Sequence, residues 1–369
     1  MVEPLVPTNS AAPTRVLFVG ESWQGSNARS LREALARQSN VTVAEVCLDH
    51  FRPTARGLPM RLANRLLSPL QHAELERAVF RACNDNDPDC VVFYKGSHFS
   101  SKFLKRLKAS HVPIVNCFPD YSPHAYGRQL MQAMACYDLV ISTKPFHPSN
   151  WEAIYSYTNQ CVFVPHGYDS GLHLRDELPS NFEFDVVLIA TGRPEYFQLI
   201  SSLAELLRND HLRVAIGGHG WARFASMLPA GWQIVGARTG SSYIDWLRKG
   251  KIVIAPVQRH VVIDGENQPG DEDTARTYEL AAANCFFIHQ RTELVGTIYD
   301  ELTEAPMFDT AVDLAEKIRF FLKANESRRT MAMAAHLRAV PAYSVDARAA
   351  AIMSHIETLV AARPPPRQC

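Results

Sequence analysis

The sequence predicts an α/β fold of two Rossmann-like halves facing a cleft, and three observations lead there. Short β-branched apolar runs alternate with amphipathic stretches along most of the chain, the pattern of a parallel sheet covered on both faces. The alternation lapses at 169–181 into Ser, Gly, Pro and charged residues and then restarts, as a linker would make it do. The 369 residues also exceed what one core usually organises, at roughly 150 residues per domain.

In the first half, Arg15-Val16-Leu17-Phe18-Val19-Gly20 reads as a buried strand. Ser26 follows as the N-cap of a helix whose Ala28, Leu31 and Leu35 share a face. Further strand runs lie at 41–47, 90–94, 113–117, 139–142 and 161–165, and Phe103, Leu104 and Leu107 mark an intervening helix. The second half begins on the strand at 184–190. Phe197, Ile200, Leu203 and Leu207 then line one helix face. Strand runs recur at 212–217, 232–236, 251–256 and 285–289, and helices are expected near 311–324, 327–338 and 345–361. The predicted organisation is a disordered N-terminus (1–13), a first Rossmann-like domain (14–170), a linker (171–182), and a second Rossmann-like domain (183–340). A crossover helix (341–362) packing back on the first domain and a disordered tail (363–369) complete it. Paired halves with a final helix point to a GT-B architecture, a coarse pattern shared with two-domain reductases and periplasmic-type binding proteins.

Composition narrows the function. With 38 Lys+Arg against 38 Asp+Glu, the chain lacks the basic excess that counterion-driven nucleic-acid binding uses. No run approaches the ~18–20 apolar residues of a membrane helix, and the first residues show no basic segment followed by an apolar one. A cytoplasmic protein is therefore expected. Peripheral membrane contact is a secondary expectation, because Arg52, Arg56, Arg61 and Arg65 stand among apolar residues in 52–67. The eight cysteines form no CxxC pair. Cys90, Cys117, Cys161 and Cys285, at the edges of apolar runs, read as small buried hydrophobes.

In an open parallel sheet, ligands bind beyond the carboxyl ends of the strands. The first such loop, Gly20-Glu21-Ser22-Trp23-Gln24-Gly25-Ser26-Asn27, has glycines and a helix start suited to an anion or a sugar hydroxyl, but it is not a dinucleotide fingerprint. Lys95, in Tyr94-Lys95-Gly96-Ser97-His98, can neutralise phosphate. Asp120 and His124, after the next strand, can orient or deprotonate a hydroxyl; a turn cap and a surface histidine are the alternative reading. In the second half, Gly192 and Arg193 precede a helix, where a guanidinium and helix-start N–H groups converge on a diphosphate. Gly217-Gly218-His219-Gly220-Trp221 permits close backbone approach, with Trp221 placed to stack on a base or sugar. The polar, acidic stretch 264–273 reads as a loop leading into a helix, whose dipole explains Asp271 and Asp273. Glu279 is not explained that way, because a carboxylate inside an Ala/Leu-rich helix needs a partner.

The run Asp273-Thr274-Ala275-Arg276-Thr277-Tyr278-Glu279-Leu280-Ala281-Ala282-Ala283-Asn284-Cys285-Phe286-Phe287-Ile288 resembles the D-x-x-R-T-F-E-x-x-A-x-G-x-F-x-L signature of CgeB-type glycosyltransferase-like proteins, within the retaining GT-B glycosyltransferases (glycosyl transferases group 1). The similarity extends over about 183–350 and includes Gly192-Arg193, Gly218-His219-Gly220-Trp221 and Thr292-Glu293. It implies a hexosyltransferase-like enzyme that moves a sugar from a nucleoside diphosphate sugar to a glycan, lipid-linked or small-molecule acceptor, with retention and without a cofactor or metal. By the resemblance, Glu279 binds the donor ribose, and Arg193 and Arg276 take the diphosphate. Asp271, shorter by one methylene than the family's Glu, faces the transferred sugar from an open loop. Gly192, His219, Gly220, Trp221 and Thr277 complete the donor site; Lys95, Asp120 and His124 form the acceptor side, and Glu279, Asp271 and Asp120 are the catalytic candidates. Asn284 replaces a family Gly and is expected to keep the left-handed conformation of a helix end. Asp271-Glu272-Asp273 has DxD spacing but precedes a helix, so the arginines and helix N–H groups are expected to replace a metal. A non-catalytic nucleotide-sugar-binding or surface-coat protein, and a nucleotide-sugar epimerase or hydrolase, are the competing readings.

Overall fold

The computed structural model describes residues 12–51, 58–153, 155–263 and 265–362, with side chains described for all of these except 58–66. The first half carries β1 (Thr14–Gly20), α1 (Asn27–Ala36), β2 (Val41–Cys47), α2 (Leu58–Asn86), β3 (Cys90–Tyr94), α3 (Ser101–Lys108), β4 (Ile114–Phe118), α4 (Gly127–Met134), β5 (Leu139–Ser142), α5 (His147–Asn150) and β6 (Gln160–Phe163). Its six strands pair in parallel in the order β2-β1-β3-β4-β5-β6. The second half carries α6 (Ser170–His173), β7 (Phe184–Ile189), α7 (Pro194–Leu206), β8 (Val214–Gly217), β9 (Trp232–Val235), α8 (Ser241–Leu247) and β10 (Gly250–Ala255). It continues with β11 (His260–Ile263), β12 (Glu266–Pro269), α9 (Ala275–Ala282), β13 (Phe287–Gln290), α10 (Glu293–Ile298), β14 (Met307–Phe308), α11 (Ala311–Lys323), α12 (Asn325–Ala339) and α13 (Val345–Ala361). Its main sheet is also parallel, in the order β14-β13-β10-β7-β8-β9, in which the strand order reverses beside β7 and β10. Such a reversal opens a crevice at the carboxyl ends of the strands.

The continuous apolar runs are explained by two-sided burial. In β1, Leu17 and Val19 pack with residues of α2, α3 and α4, while Val16 and Phe18 pack with α1 and α13. In β7, Val186 and Leu188 face the cluster containing α7 and α11, and Val187 and Ile189 face that containing α8 and α9. Every one of these eight side chains is buried, each contributing roughly 1.5–3 kcal/mol of transfer free energy. Ser26 caps α1 as expected, its side chain accepting from the Ala28 N–H at 3.2 Å.

The final helix returns to the first half. Ala349, Ile352, Met353 and Ile356 of α13 join the cluster around α1, and Asp346 pairs with Arg37 at 2.6 Å. The crossover is tied to the chain leaving β6, because Val345 donates to the Tyr168 carbonyl and Tyr168 to the Tyr343 carbonyl, at 2.8 and 3.0 Å. A Cβ on Gly167 would lie 2.9 Å from the Tyr343 oxygen, so the two segments approach too closely there for a larger residue.

Part of the expected organisation changes. The segment read as a linker opens with a helical turn, α6, capped by Asp169, whose side chain accepts from the Gly171 and Leu172 N–H groups. The polar stretch at 264–273 is not wholly a loop, since 266–269 pairs antiparallel with 260–263. The basic segment at 52–67 is continued by a 29-residue helix, α2; its four arginine side chains lie outside the described residues, as do 1–11 and 363–369. Among the described residues no helix is long and apolar enough to cross a membrane. Cys90, Cys117 and Cys285 are buried as expected, but Cys161 is only half-buried.

Candidate functional site

The loops leaving the carboxyl ends of the two sheets enclose a cavity of about 330 Å³ between the halves. Trp23, Lys95 and Asp120 line it from the first half, and Arg193, Asp271 and Thr274 from the second. Lys95 stands at the end of β3 with φ 66°, where the chain turns sharply. Its ammonium pairs with Asp120 at 2.9 Å and lies 4.2 Å from the centre of the Tyr126 ring. The Tyr126 hydroxyl donates to the same carboxylate oxygen, Asp120 Oδ2, at 2.7 Å. Burial and the Asp120 carboxylate push the Tyr126 phenol well above its ordinary pKa, so it stays a donor.

Trp23, nearly half exposed, is fixed by its indole N–H donating to Glu21 Oε2 at 2.9 Å. His124 is not brought into this lining. Ser122 caps the turn after Asp120 by accepting from the His124 N–H at 3.3 Å, and the imidazole packs edge-on against Tyr155. The acceptor-side expectation for His124 is therefore corrected.

In the second half, Arg193 reaches the cavity from the position before α7. Gly192 donates to the His219 carbonyl at 2.8 Å, and a Cβ there would lie 2.6 Å from the Phe197 ring. His219 and Gly220 are exposed beyond β8. The preceding Gly218 has φ 125°, and a Cβ there would lie 2.0 Å from the Ala190 oxygen, so this turn requires glycine. Trp221 overturns its expectation. It is 1% exposed, its indole N–H donates to Ala190 O at 2.7 Å, and its ring meets Phe197 edge to face. A stacking surface for a ligand is instead part of the core.

Helix α9 sorts the signature residues. Thr277 is fully buried; its hydroxyl accepts from the Thr274 N–H at 3.2 Å and meets His289 Nε2 at 2.9 Å. Its hydroxyl is used within the fold, on the N-cap N–H of its own helix and on His289, which corrects its place among donor-binding residues. Arg276 donates to the Pro256 carbonyl at 3.1 Å, yet its Nε is buried without a partner. Burial disfavours its charge, but Tyr243, Tyr196 and Glu279 more than offset that and hold its pKa up. Glu279, 7% exposed, lies among polar groups of other elements. His173 Nε2 of α6 stands 3.7 Å from its Oε1, and Tyr243 of α8 is close enough to Glu279 and Arg276 for their charges to act on its phenol. Asn284 has φ 54°, as expected, and its amide donates to the carbonyls of Arg175 and Asp176 at 3.0 and 3.1 Å.

Asp271 is not in an open loop. Its N–H donates to the Gln258 carbonyl at 2.6 Å, continuing the β11–β12 pairing towards the strand root. Its carboxylate meets the ammonium of Lys144, from just beyond β5, at 2.8 Å. The root itself is held by Glu195, which accepts from the N–H groups of Arg259 and His260, both at 2.9 Å. Glu272 pairs with Arg259. Asp273 is fully buried and accepts from the Tyr278 hydroxyl at 2.7 Å, with Lys144 Nζ 4.0 Å away. The DxD-spaced carboxylates therefore converge on an ammonium of the first half, not on the dipole of their own helix alone. Among the described residues, no group of three or more His, Cys, Asp or Glu side chains converges in a way that suits a metal ion.

Sequence reasoning missed Lys144, His166, His173 and Tyr243. Lys144 and His166 follow strands β5 and β6, so attention to every strand end, not only the first, third and fourth, finds both. His166 lines the cavity, and burial together with the Lys144 charge lowers its pKa to about 3; the ring is neutral. His173 and Tyr243 carry no local signal, since only the tertiary fold brings them to Glu279.

The two sheets, their strand order and the returning helix define a GT-B architecture, two Rossmann-like domains with a cleft between them. Residues 197–354 match a family model described as glycosyl transferase-like, a stretch that contains Asp271, Arg276 and Glu279. The fold is similar over 95% of this chain to all of a sucrose-phosphate synthase from Thermosynechococcus elongatus, at TM-score 0.65 and 14% identity. Anabaena HepE, in complex with UDP-glucose, matches over 93% of this chain and 99% of its own, at TM-score 0.60 and 12% identity. A glycosyltransferase from Rickettsia africae covers 96% of this chain and 100% of its own, at 0.61 and 13%. None of the curated proteins matches the sequence.

Proposed function

We infer that the protein is a glycosyltransferase that moves a sugar from a nucleoside diphosphate sugar to an acceptor hydroxyl across this cleft. The observation that carries the reading is the grouping of Glu279 and Arg276 with Tyr243 on the second sheet's crevice, inside the stretch whose sequence is glycosyl transferase-like. A half-buried guanidinium with an unused Nε donor beside a buried carboxylate suits a ligand that offers both hydroxyls and phosphates. In this reading Glu279 accepts from the ribose hydroxyls, while Arg276 and Arg193 neutralise the diphosphate. Asp271 accepts from hydroxyls of the transferred sugar. The Lys95–Asp120 pair faces the acceptor, and Trp23 offers an exposed aromatic surface at the same cavity.

Chemically, the acceptor oxygen forms a bond to the anomeric carbon as the bond to the diphosphate oxygen breaks, and the acceptor proton leaves with the nucleoside diphosphate side of the reaction. Positively charged groups fixed around the departing diphosphate lower the barrier because its negative charge grows in the transition state. Two arginines and a lysine are at hand for that, which supports a reaction that needs no metal. Retention is the stereochemistry implied by the resemblance of α9 to the retaining enzymes, and the anomeric configuration of the product checks it.

The test is calorimetric titration of the purified protein with UDP-, GDP- and ADP-sugars, UDP-glucose first because a protein of this fold binds it. Nucleoside diphosphate release is then followed with and without saccharide acceptors. Binding of one donor and acceptor-dependent release are expected. Release that is equally fast in water alone identifies a hydrolase, and donor binding without release across the acceptor panel identifies a binding protein.

A further inference from the structure

Lys144 is 2% exposed, and an ammonium taken out of water costs several kcal/mol unless it is paired. Its partners come from the other half of the molecule. Nζ lies 2.8 Å from Asp271 Oδ1, 3.5 Å from the Asp273 carbonyl and 4.0 Å from Asp273 Oδ1. The neighbouring Asp273 is itself held by Tyr278.

The lysine is supported from its own side as well. Its N–H donates to Ser142 Oγ at 2.9 Å, Ser142 Oγ meets His147 Nδ1 at 2.5 Å, and His147 Nε2 meets the Tyr121 carbonyl at 2.9 Å. Burial would lower the pKa of the Lys144 amine, but Asp271 and Asp273 overcome it and leave the pKa raised; the group is an ammonium. Among the described residues, Asp271 Oδ1 and the Asp273 carbonyl are its acceptors within 3.5 Å. An ammonium has three N–H donors, so one is left for a ligand in the cavity that Lys144 lines.

We propose that Lys144 is the resident cation of this site: supplied by the first half, it holds Asp271 in place for the transferred sugar and turns its spare N–H to the departing diphosphate. The inference rests on the glycosyltransferase reading above. It gives the DxD-spaced carboxylates a protein ammonium as their counter-charge. It also makes transfer depend on the two halves being closed, because Asp271 and its cation belong to different sheets. Lys144 thereby acts as a positioning residue for Asp271 and adds one charge to the diphosphate site.

The experiment compares Lys144→Met, Lys144→Ala and Lys144→Arg with the wild type, each confirmed folded by thermal melting. Nucleotide affinity is measured by calorimetry with UDP and the other nucleoside diphosphates. Turnover is measured with EDTA, with Mn²⁺ or Mg²⁺, and with methylammonium. Expected are wild-type turnover indifferent to EDTA, and a kcat roughly 100-fold lower in Lys144→Met, the scale set by a misplaced catalytic group. Nucleoside diphosphate affinity in that variant should fall by no more than about tenfold, the share of one charge-assisted contact.

Methylammonium should restore Lys144→Ala by about tenfold, as expected when an added cation regains part of a lost charge contact; Lys144→Arg should fall between wild type and Lys144→Met. The inference is overturned by a Lys144→Met kcat within about threefold of wild type, by loss of nucleotide binding in step with kcat, by wild-type turnover abolished with EDTA, or by no amine rescue. A wild-type protein that binds no nucleotide fails the glycosyltransferase reading instead, before any Lys144 variant is compared.

Discussion

The two halves meet the cleft in different ways. The first presents Lys95, Asp120 and Tyr126 as a group satisfied within its own surface, with Lys95 and Asp120 each about 30% exposed at the side chain. The second draws its carboxylates inward. Asp273 is fully buried, Glu279 is 7% exposed, and their partners come from elsewhere: Lys144 from the first half, His173 from the turn between the halves, Tyr243 from a neighbouring helix. A solvated pair exchanges partners cheaply when a ligand arrives, whereas a buried carboxylate held by distant elements is fixed before binding. Under the proposed function, the difference matches a variable acceptor on one side and a nucleotide read by preset groups on the other.

Substitutions on the two sides should therefore separate. The largest effect is expected for Asp271→Asn, with kcat lowered roughly 100-fold or more as an electrostatic contact to the reacting sugar is lost, and nucleotide affinity kept; steady-state kinetics with calorimetry checks this. Glu279→Ala should weaken nucleoside diphosphate binding about 10- to 100-fold, the range for losing hydrogen bonds to a charged acceptor. Asp120→Asn should raise the acceptor KM by about tenfold, from the loss of one such bond, and leave donor binding alone. If Asp120→Asn weakens nucleotide binding as much as Glu279→Ala does, the division between the halves is broken.

A smaller effect concerns stability and pH. His147 and His289 are buried, which lowers each pKa from 6.5 to about 4. In the unfolded chain they take up protons below 6.5 while the folded protein does not, so stability is full above 6.5 and declines as pH falls towards 4. Thermal melts at pH 7.5, 6.0 and 5.0 should show a falling Tm, and His289→Gln, which cannot take up a proton, should flatten the fall.

Much of the fold was legible because parallel strands buried on both faces leave continuous apolar runs, and the ends of those predicted differ from the observed strands by no more than a couple of residues at most positions. Helix α2 escaped in its full length because its 29 residues carry no sustained apolar face, and the β11–β12 hairpin because Glu266, Asn267 and Gln268 look like a loop when read alone. At the candidate site, the need of Glu279 for a polar neighbour was legible from its Ala- and Leu-rich helix, and His173 and Arg276 lie beside it. Trp221 and Thr277 were misread for a shared reason: position after a strand or inside a signature does not say which way a side chain points. Trp221 turns under its own glycine turn to Ala190, and Thr277 turns back to cap its helix. The contacts of Asp271 depend on Lys144, 127 positions earlier in the chain, a pairing that only the closed fold creates.

The central claim is that the second half binds a nucleoside diphosphate sugar through Glu279 and Arg276. Its most direct test is calorimetric titration of wild type, Glu279→Ala and Asp120→Asn with the donor selected from the nucleotide-sugar panel. The account predicts one site per chain in the wild type, at least about tenfold weaker binding in Glu279→Ala, and unchanged affinity in Asp120→Asn. No binding of any nucleotide-sugar to the wild type, or equal affinity in Glu279→Ala, would contradict it.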